Sequence, residues 1–266
     1  MTPTTEKLVE IESGTLFTRV YGSGKALVLI HGMATDHRLW TPQIEALAAQ
    51  FQVISYDMRG FGRSSRPDGP YRAEDDLAQL LQQLEISTAN LVGLSLGSSV
   101  ATRFALSYPA MTRSLIIAGP VLQGFSDAPD FMQALKSVWG IAREQGIEAA
   151  RAAWATLPLF STLPSSSEWS SLLDTMIEDY DGWHWQHRDP EIWPETMPAD
   201  RLTEITAPTL IVTGDQEMAG LVRAGTYMSE KINGCRTVEL AACGHVVNLE
   251  KPAEFNRAVI EFLTDS

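Results

Sequence analysis

Six short, β-branched apolar runs separated by helical patterns restrict the fold of this chain more than any other feature. The runs are residues 26–30, 52–56, 90–94, 114–118, 209–213 and 236–240. The first, Ala-Leu-Val-Leu-Ile between Gly24 and Gly32, has no polar alternation, as expected of a strand buried on both faces. Between the runs lie amphipathic stretches over 41–49, 73–84, 96–107, 221–232 and 252–263. Strand, helix and strand in this order predict parallel βαβ units, because a parallel neighbour is reached only by a crossover. Residues 7–21, with Gly14 and Gly22, read as an antiparallel hairpin at the sheet edge. The expected class is α/β, a mostly parallel sheet flanked by helices.

The rhythm breaks between residues 121 and 201. That stretch holds six of the seven tryptophans (Trp139, Trp154, Trp169, Trp183, Trp185 and Trp193), and five prolines from Pro158 to Pro198 punctuate its helical pieces. The simplest division is a core from residues 1–120 and 202–266 with a helical cap inserted over 121–201. There is no internal repeat or low-complexity tract.

The 266 residues are 44% hydrophobic and 20% charged, with a formal net charge of −13. A chain this long buries a large core without disulfides or a structural metal. Its acidity argues against nucleic acid or an anionic membrane as a partner and favours a neutral or apolar small molecule. Cys235 and Cys243 flank the last apolar run, too far apart across it to bridge. Free thiols fit a reducing compartment. The first residues lack the basic and apolar regions of a signal peptide, and no apolar run could span a bilayer. A cytoplasmic monomer or homodimer is expected.

Gly93-Leu94-Ser95-Leu96-Gly97 joins the third run to the third helical stretch. A glycine-x-serine-x-glycine turn in that setting lifts a serine hydroxyl above the sheet and sets it at a helix N-terminus, where free N–H groups favour developing negative charge. Further motifs accompany it: His31-Gly32-Met33 after the first run, Asp57-Met58-Arg59-Gly60-Phe61-Gly62-Arg63-Ser64 after the second, Gly214-Asp215-Gln216-Glu217 after the fifth, and Gly244-His245 with Asn248-Leu249-Glu250-Lys251-Pro252 after the sixth. With these, nearly the whole chain outside the insertion resembles the α/β-hydrolase superfamily, in particular its serine carboxylesterases and enol-lactonases.

The resemblance implies a triad in the order serine, acid, histidine. Ser95 is the expected nucleophile and His245 its base. For the acid, residue type favours Asp215, whereas an offset of three from the glycine favours Glu217; Glu217 is the expected acid and Asp215 the alternative. The backbone N–H groups of Met33 and Leu96 are the expected oxyanion donors, and His31 is expected to support the first of these loops. Of the other histidines, His184 and His187 lie in the insertion and are poor bases for this architecture, while His37 should lie near the mouth of the site. Asp57 and Arg59 are expected to hold structure through a buried ion pair and glycine turns.

In the resembled family such an insertion is a lid. Trp183, Trp185 and His37 are the expected substrate contacts, with Trp193 close to the first two in sequence. Tryptophans in a helical insertion also serve simply to hold it together. Met33 and Leu96 beside the serine point to an apolar pocket, so a small, largely apolar ester or lactone is the expected substrate. Two alternatives stay open: a carbon–carbon hydrolase of diketone-type ring-cleavage products, and a receptor-like small-molecule binder with little turnover. The histidines are scattered, without the spacing of a zinc site, and no phosphate loop or dinucleotide fingerprint is present. No metal or cofactor is expected.

Overall fold

In the computed structural model, which describes residues 4–265, the strands are β1 (Thr5–Ile11), β2 (Gly14–Tyr21), β3 (Ala26–Ile30), β4 (Gln52–Tyr56), β5 (Ala89–Ser95), β6 (Thr112–Pro120), β7 (Thr209–Gly214) and β8 (Arg236–Leu240). They form one sheet in the order β1-β2-β4-β3-β5-β6-β7-β8. β1 and β2 form the antiparallel edge hairpin, β2 pairs antiparallel with β4, and the remaining neighbours are parallel. Each of the six apolar runs is a strand. β5 and β6 reach beyond their runs, because ladder hydrogen bonds to neighbours continue past the last apolar side chain. Ser95 is thereby the last residue of β5.

The helices are α1 (Thr41–Ala48), α2 (Ala73–Gln83), α3 (Leu96–Ser107), α4 (Pro129–Gln145), α5 (Ile147–Ala155), α6 (Glu168–Asp179), α7 (Trp183–Gln186), α8 (Pro198–Arg201), α9 (Ala219–Lys231), α10 (Val247–Glu250) and α11 (Pro252–Thr264). α1 packs on α11, and α2 on α3. β3 is buried along its whole length. From β3 the chain moves outward to β4 and then returns to place β5 on the other side of β3. Such a reversal opens a crevice at the carboxyl ends of the two strands, where ligands of open α/β sheets bind. Here those ends carry the loop at His31 and the turn at Ser95.

Gly93 and Gly97 are obligatory for the close approach at this crevice. A Cβ on Gly97 would collide with the backbone oxygens of Ile30 and His31, and one on Gly93 would collide with the Gly97 oxygen.

Residues 121–201 contribute α4 to α8 and no strand of the sheet. This insertion docks on the core through polar and aromatic contacts. Ile192 N donates to Tyr71 O at 2.7 Å, Arg103 Nη2 donates to Glu191 Oε1 at 2.6 Å, and Arg38 pairs with Asp179 at 2.8 Å. His184 stacks on Phe61, their ring centres 4.2 Å apart. Its buried imidazole lies 2.9 Å from the Tyr180 hydroxyl, and burial pushes its pKa down to about 3. The loop after β4 is structural: Arg59 donates to both carboxylate oxygens of Asp76 at 2.8 Å. The partner of Arg59 is therefore Asp76 on α2, while Asp57 accepts from His37 and from the Arg63 N–H.

Glycine substitutions separate close approach from mere flexibility. Gly140 lies in α4 with open space around it, so Gly140→Ala should stabilise the fold by about 0.5–1 kcal/mol in urea unfolding. Gly97→Ala should destabilise it by several-fold more. Acid should also loosen the insertion. His184 is neutral in the folded state and titrates near 6.5 when unfolded. Its contribution is therefore complete above pH 6.5 and is lost as pH falls toward about 3. Thermal melts across that window should show a shallower fall for His184→Phe, which keeps the stacking and removes the titration.

Candidate active site

Ser95 sits between β5 and α3 with φ 56° and ψ −117°. A non-glycine residue in this region costs on the order of 1–3 kcal/mol and persists only where its surroundings hold it. Ser98, one turn into α3, does part of that holding: its hydroxyl donates to Ser95 O at 2.6 Å and accepts the Val121 N–H at 3.0 Å. The elbow is thus tied to the end of β6. Sequence reasoning passed over Ser98, although a hydroxyl three residues after the candidate nucleophile marks a turn-stabilising position.

His245 and Glu217 meet at the carboxyl end of β7. Glu217 Oε2 accepts from His245 Nδ1 at 2.7 Å, and Glu217 Oε1 accepts the Met218 N–H at 2.8 Å. Both side chains are buried. Asp215 is exposed; its carboxylate accepts the Cys243 N–H at 3.3 Å and its own N–H donates to Leu240 O at 3.0 Å. Asp215 therefore ties down the loop that carries His245, and Glu217 faces the imidazole. The loop's floor is Gly119, with φ +50°, where any Cβ would strike the His245 ring. Downstream, Gln43 and Asn248 form an amide pair: Asn248 Nδ2 donates to Gln43 Oε1 at 3.2 Å and to Leu39 O at 3.0 Å, and Gln43 Nε2 donates to the Asn248 backbone carbonyl at 2.9 Å. With Nδ1–H donated to Glu217, Nε2 carries the free lone pair. No described residue hydrogen-bonds it.

His31 supports the loop after β3. Its Nδ1 lies 2.8 Å from Gly32 O, and its Nε2 accepts the Met58 N–H at 2.9 Å. The carbonyl accepts and the amide donates, so the proton is on Nδ1. Burial holds the pKa of this fully enclosed ring below its ordinary value, which keeps that neutral tautomer. Thr35 Oγ1 also donates to Gly32 O, at 2.9 Å. The loop abuts the elbow: a Cβ built on Gly32 would lie 3.5 Å from Ser95 Cβ. Met33 and Leu96, the residues after Gly32 and Ser95, both line the cavity beside the serine.

That cavity has a volume of about 720 Å³ and lies between core and insertion. Apolar side chains dominate it, among them Met58, Phe61, Leu122, Phe131, Trp139 and Leu221. Trp154 and Trp185 also line it, and half-exposed Trp193 contributes to its wall. Ser95 and His245 further share a small hollow of about 20 Å³ with Trp154, Leu159 and Phe160. The expectations for substrate contacts need two corrections. Trp183 is not part of the cavity wall; it stacks on His187 with ring centres 5.3 Å apart. His37 points away into a separate hollow, where its Nδ1 is 2.7 Å from Asp57 Oδ1. Trp185 is the one of the three on the wall. Trp154, not foreseen, is the tryptophan nearest the serine–histidine hollow in the sense that it lines both spaces.

Among the described residues, Asp36, His37 and Asp57 lie close enough together to suggest a cation site. Their donors are already engaged. Asp36 accepts from the Arg38 guanidinium at 2.6 Å and 2.9 Å, and Asp57 accepts from His37 and Arg63. A metal there would have to displace the Arg38 guanidinium from Asp36 and break the bond between His37 and Asp57, so the cluster reads as loop architecture.

The comparisons with known proteins agree with this fold. Residues 25–252 match the family model described as alpha/beta hydrolase fold. 3-Oxoadipate enol-lactonase 2 of Acinetobacter baylyi is 29% identical over 243 residues, covering 88% of this chain and 86% of that protein. The 2-hydroxy-6-oxononadienedioate/2-hydroxy-6-oxononatrienedioate hydrolase of Burkholderia vietnamiensis is 30% identical, covering 97% of this chain and 96% of that protein. Among solved structures, the enol-lactonase from Burkholderia xenovorans superposes with a TM-score of 0.76 at 26% identity, covering 97% of this chain and all (100%) of that one. No helix among the described residues is long and apolar enough to cross a membrane. A parallel sheet with a serine elbow at its switch point, and a family match across most of its length, make this chain a member of the α/β-hydrolase family.

Proposed function

We propose that the protein is a serine hydrolase that cleaves a small, largely apolar carboxylic ester or lactone through an acyl-enzyme on Ser95. The observation that carries this reading is the 2.7 Å contact between Glu217 Oε2 and His245 Nδ1, buried at the sheet end that also bears Ser95. An imidazole held in that tautomer presents Nε2 as a base.

In the proposed cycle His245 Nε2 takes the Ser95 proton as Oγ bonds to the substrate carbonyl carbon. The carbonyl π electrons move to oxygen, and the N–H groups of Met33 and Leu96 stabilise that oxyanion. Each such donor is worth about 3–4 kcal/mol in the transition state. The C–O bond to the alcohol then breaks, and His245 returns the proton to the departing oxygen. For a lactone the departing oxygen stays tethered to the acyl group. Water next attacks the acyl-enzyme, giving its proton to His245, which passes it back to Ser95 Oγ as the acid leaves. Glu217 orients the ring and stabilises the imidazolium as it forms.

The insertion acts in this reading as a lid that excludes water and shapes an apolar site. The mostly apolar wall and the strongly negative net charge favour a neutral ester over a polyanionic one. Carbon–carbon hydrolysis of a diketone remains the second reading, because relatives named for that reaction stand beside the enol-lactonases at similar identity.

The acid assignment offers the sharpest test. On a p-nitrophenyl ester of a short fatty acid, Glu217→Gln should lower kcat by on the order of 10⁴-fold, as loss of the orienting carboxylate does in serine triads. Asp215→Asn should retain turnover within a few-fold. The reverse pattern would remove Glu217 from the mechanism. Cleavage of a vinylogous diketone with no cleavage of esters or lactones would replace the ester reading with the carbon–carbon one.

A further inference from the structure

The glycine just before His245 owes its place to the insertion. Gly244 does not adopt a positive φ, so its backbone conformation does not call for glycine. Space is what excludes a side chain. A Cβ built on Gly244 would lie 2.5 Å from Thr162 Oγ1, nearer than Cβ contacts come. The next atoms, Gln216 O and Glu250 Oε1, would be at 3.5 Å and 3.6 Å, which is ordinary contact. Thr162 belongs to the insertion and reaches the His245 loop from a distant part of the chain. The contact is one of packing, since no described residue hydrogen-bonds the Thr162 hydroxyl.

The chain leading to Thr162 also covers Ser95 and His245. From the end of α5 it runs through short turns: Leu157 N donates to Trp154 O at 3.1 Å, Phe160 N to Leu157 O at 3.1 Å and Leu163 N to Phe160 O at 3.2 Å. Trp154, Leu159 and Phe160 of this segment wall the small hollow shared by Ser95 and His245. Trp154 packs on Phe160 with ring centres 5.9 Å apart. The segment that walls the hollow is thus the one that ends against Gly244. The core holds the same loop by hydrogen bonds. Glu250 Oε2 accepts the Gly244 N–H at 2.9 Å, Asp215 accepts the Cys243 N–H, and Gln216 N donates to Cys243 O at 2.9 Å. A second contact from the insertion is α6, which packs on α10 just beyond His245.

We infer that Thr162 is a positioning residue: seated on Gly244, it keeps the His245 loop in register with its core hydrogen bonds while Leu159 and Phe160 close the hollow at Ser95. Seating of the insertion and placement of the histidine are then one arrangement, so the insertion sets the base as well as excluding water. The catalytic consequence rests on the serine-hydrolase reading above. A Cβ at residue 244 would have to gain about 1 Å, by moving either the loop or the segment that carries Thr162, and a misplacement of that size costs on the order of 10²-fold in rate. The wall of the large cavity includes neither Thr162 nor Gly244, so the loss falls on kcat with KM little changed.

The test is a double-variant cycle on p-nitrophenyl butyrate, with the rate of fluorophosphonate labelling at Ser95 as a second readout. Gly244→Ala should lower kcat and the labelling rate on the order of 10²-fold, with KM within a few-fold of the unaltered protein. Thr162→Ala alone should lower kcat several-fold. Combining the two removes the obstructing hydroxyl and should return kcat to the level of Thr162→Ala, a strong coupling between the sites. A glycine needed only for its own loop would gain nothing from a change at Thr162. Should Gly244→Ala melt too low to assay, Thr162→Ala and Thr162→Ser decide alone, since neither adds an atom: the first should lose kcat at unchanged KM, and the second, which keeps Oγ, should regain it. Full activity in Gly244→Ala, a loss that Thr162→Ala does not relieve, or equal kcat for Thr162→Ala and the unaltered protein would overturn the positioning role while leaving the hydrolase reading intact. If the unaltered protein neither cleaves the ester nor takes up label above the level of Ser95→Ala, the positioning role and the hydrolase reading fall together.

Discussion

The close approach of the β5–α3 elbow to the end of β3 is the constraint on which the site depends. Only glycine fits at residue 97, against the backbone oxygens of Ile30 and His31, and at residue 93, against the Gly97 oxygen within the elbow, and Ser95 between them has φ 56°. The contact does two things at once. It sets Ser95 at the head of α3, and it brings the Ser95 Cβ beside the loop at Gly32. A wider turn would relax the backbone and separate those elements. The strain is met by the surrounding polar bonds: Ser98 to Ser95 O and to Val121 N, and His31 and Thr35 to Gly32 O.

From that fixed point the other parts of the site are placed by loops that each carry their own internal ties. Asp215 pins the segment that bears His245, Gly119 leaves room for its ring, and the Gln43–Asn248 amide pair anchors the segment beyond it. Glu217 is then free to face Nδ1. Two acids two residues apart thus have different tasks, one exposed and bonded to backbone, the other buried and bonded to imidazole. The offset from Gly214 pointed to residue 217, the one in contact with His245, while residue type alone pointed to residue 215.

Much of the core was legible in the sequence because buried parallel strands leave continuous apolar runs and crossover helices leave periodic ones. Ser95, His31 and His245 were legible for a related reason: each sits in a glycine-bearing turn after such a run, where backbone geometry restricts the residues. The insertion was legible only as helical. His37 and Trp183 are near the right elements in sequence but do not line the cavity: His37 is drawn to its tertiary partner Asp57, and Trp183 stacks on His187 one helical turn further on. Trp154 stands alone as the large aromatic of the alanine-rich α5, and nothing local shows which way it faces. The docking of Glu191 and Asp189 on Tyr71 and Arg103 joins segments far apart in the chain, so no local pattern records it.

The account rests on Ser95 being an activated nucleophile, as opposed to one side chain in a binding cavity. Intact mass and peptide mapping after incubation with a fluorophosphonate measure this most directly. The account predicts one phosphonyl group per chain, located on the peptide that carries Ser95 and absent after Ser95→Ala or denaturation. A folded protein that takes up no label at Ser95, or is labelled equally when Ser95 is replaced, would contradict it.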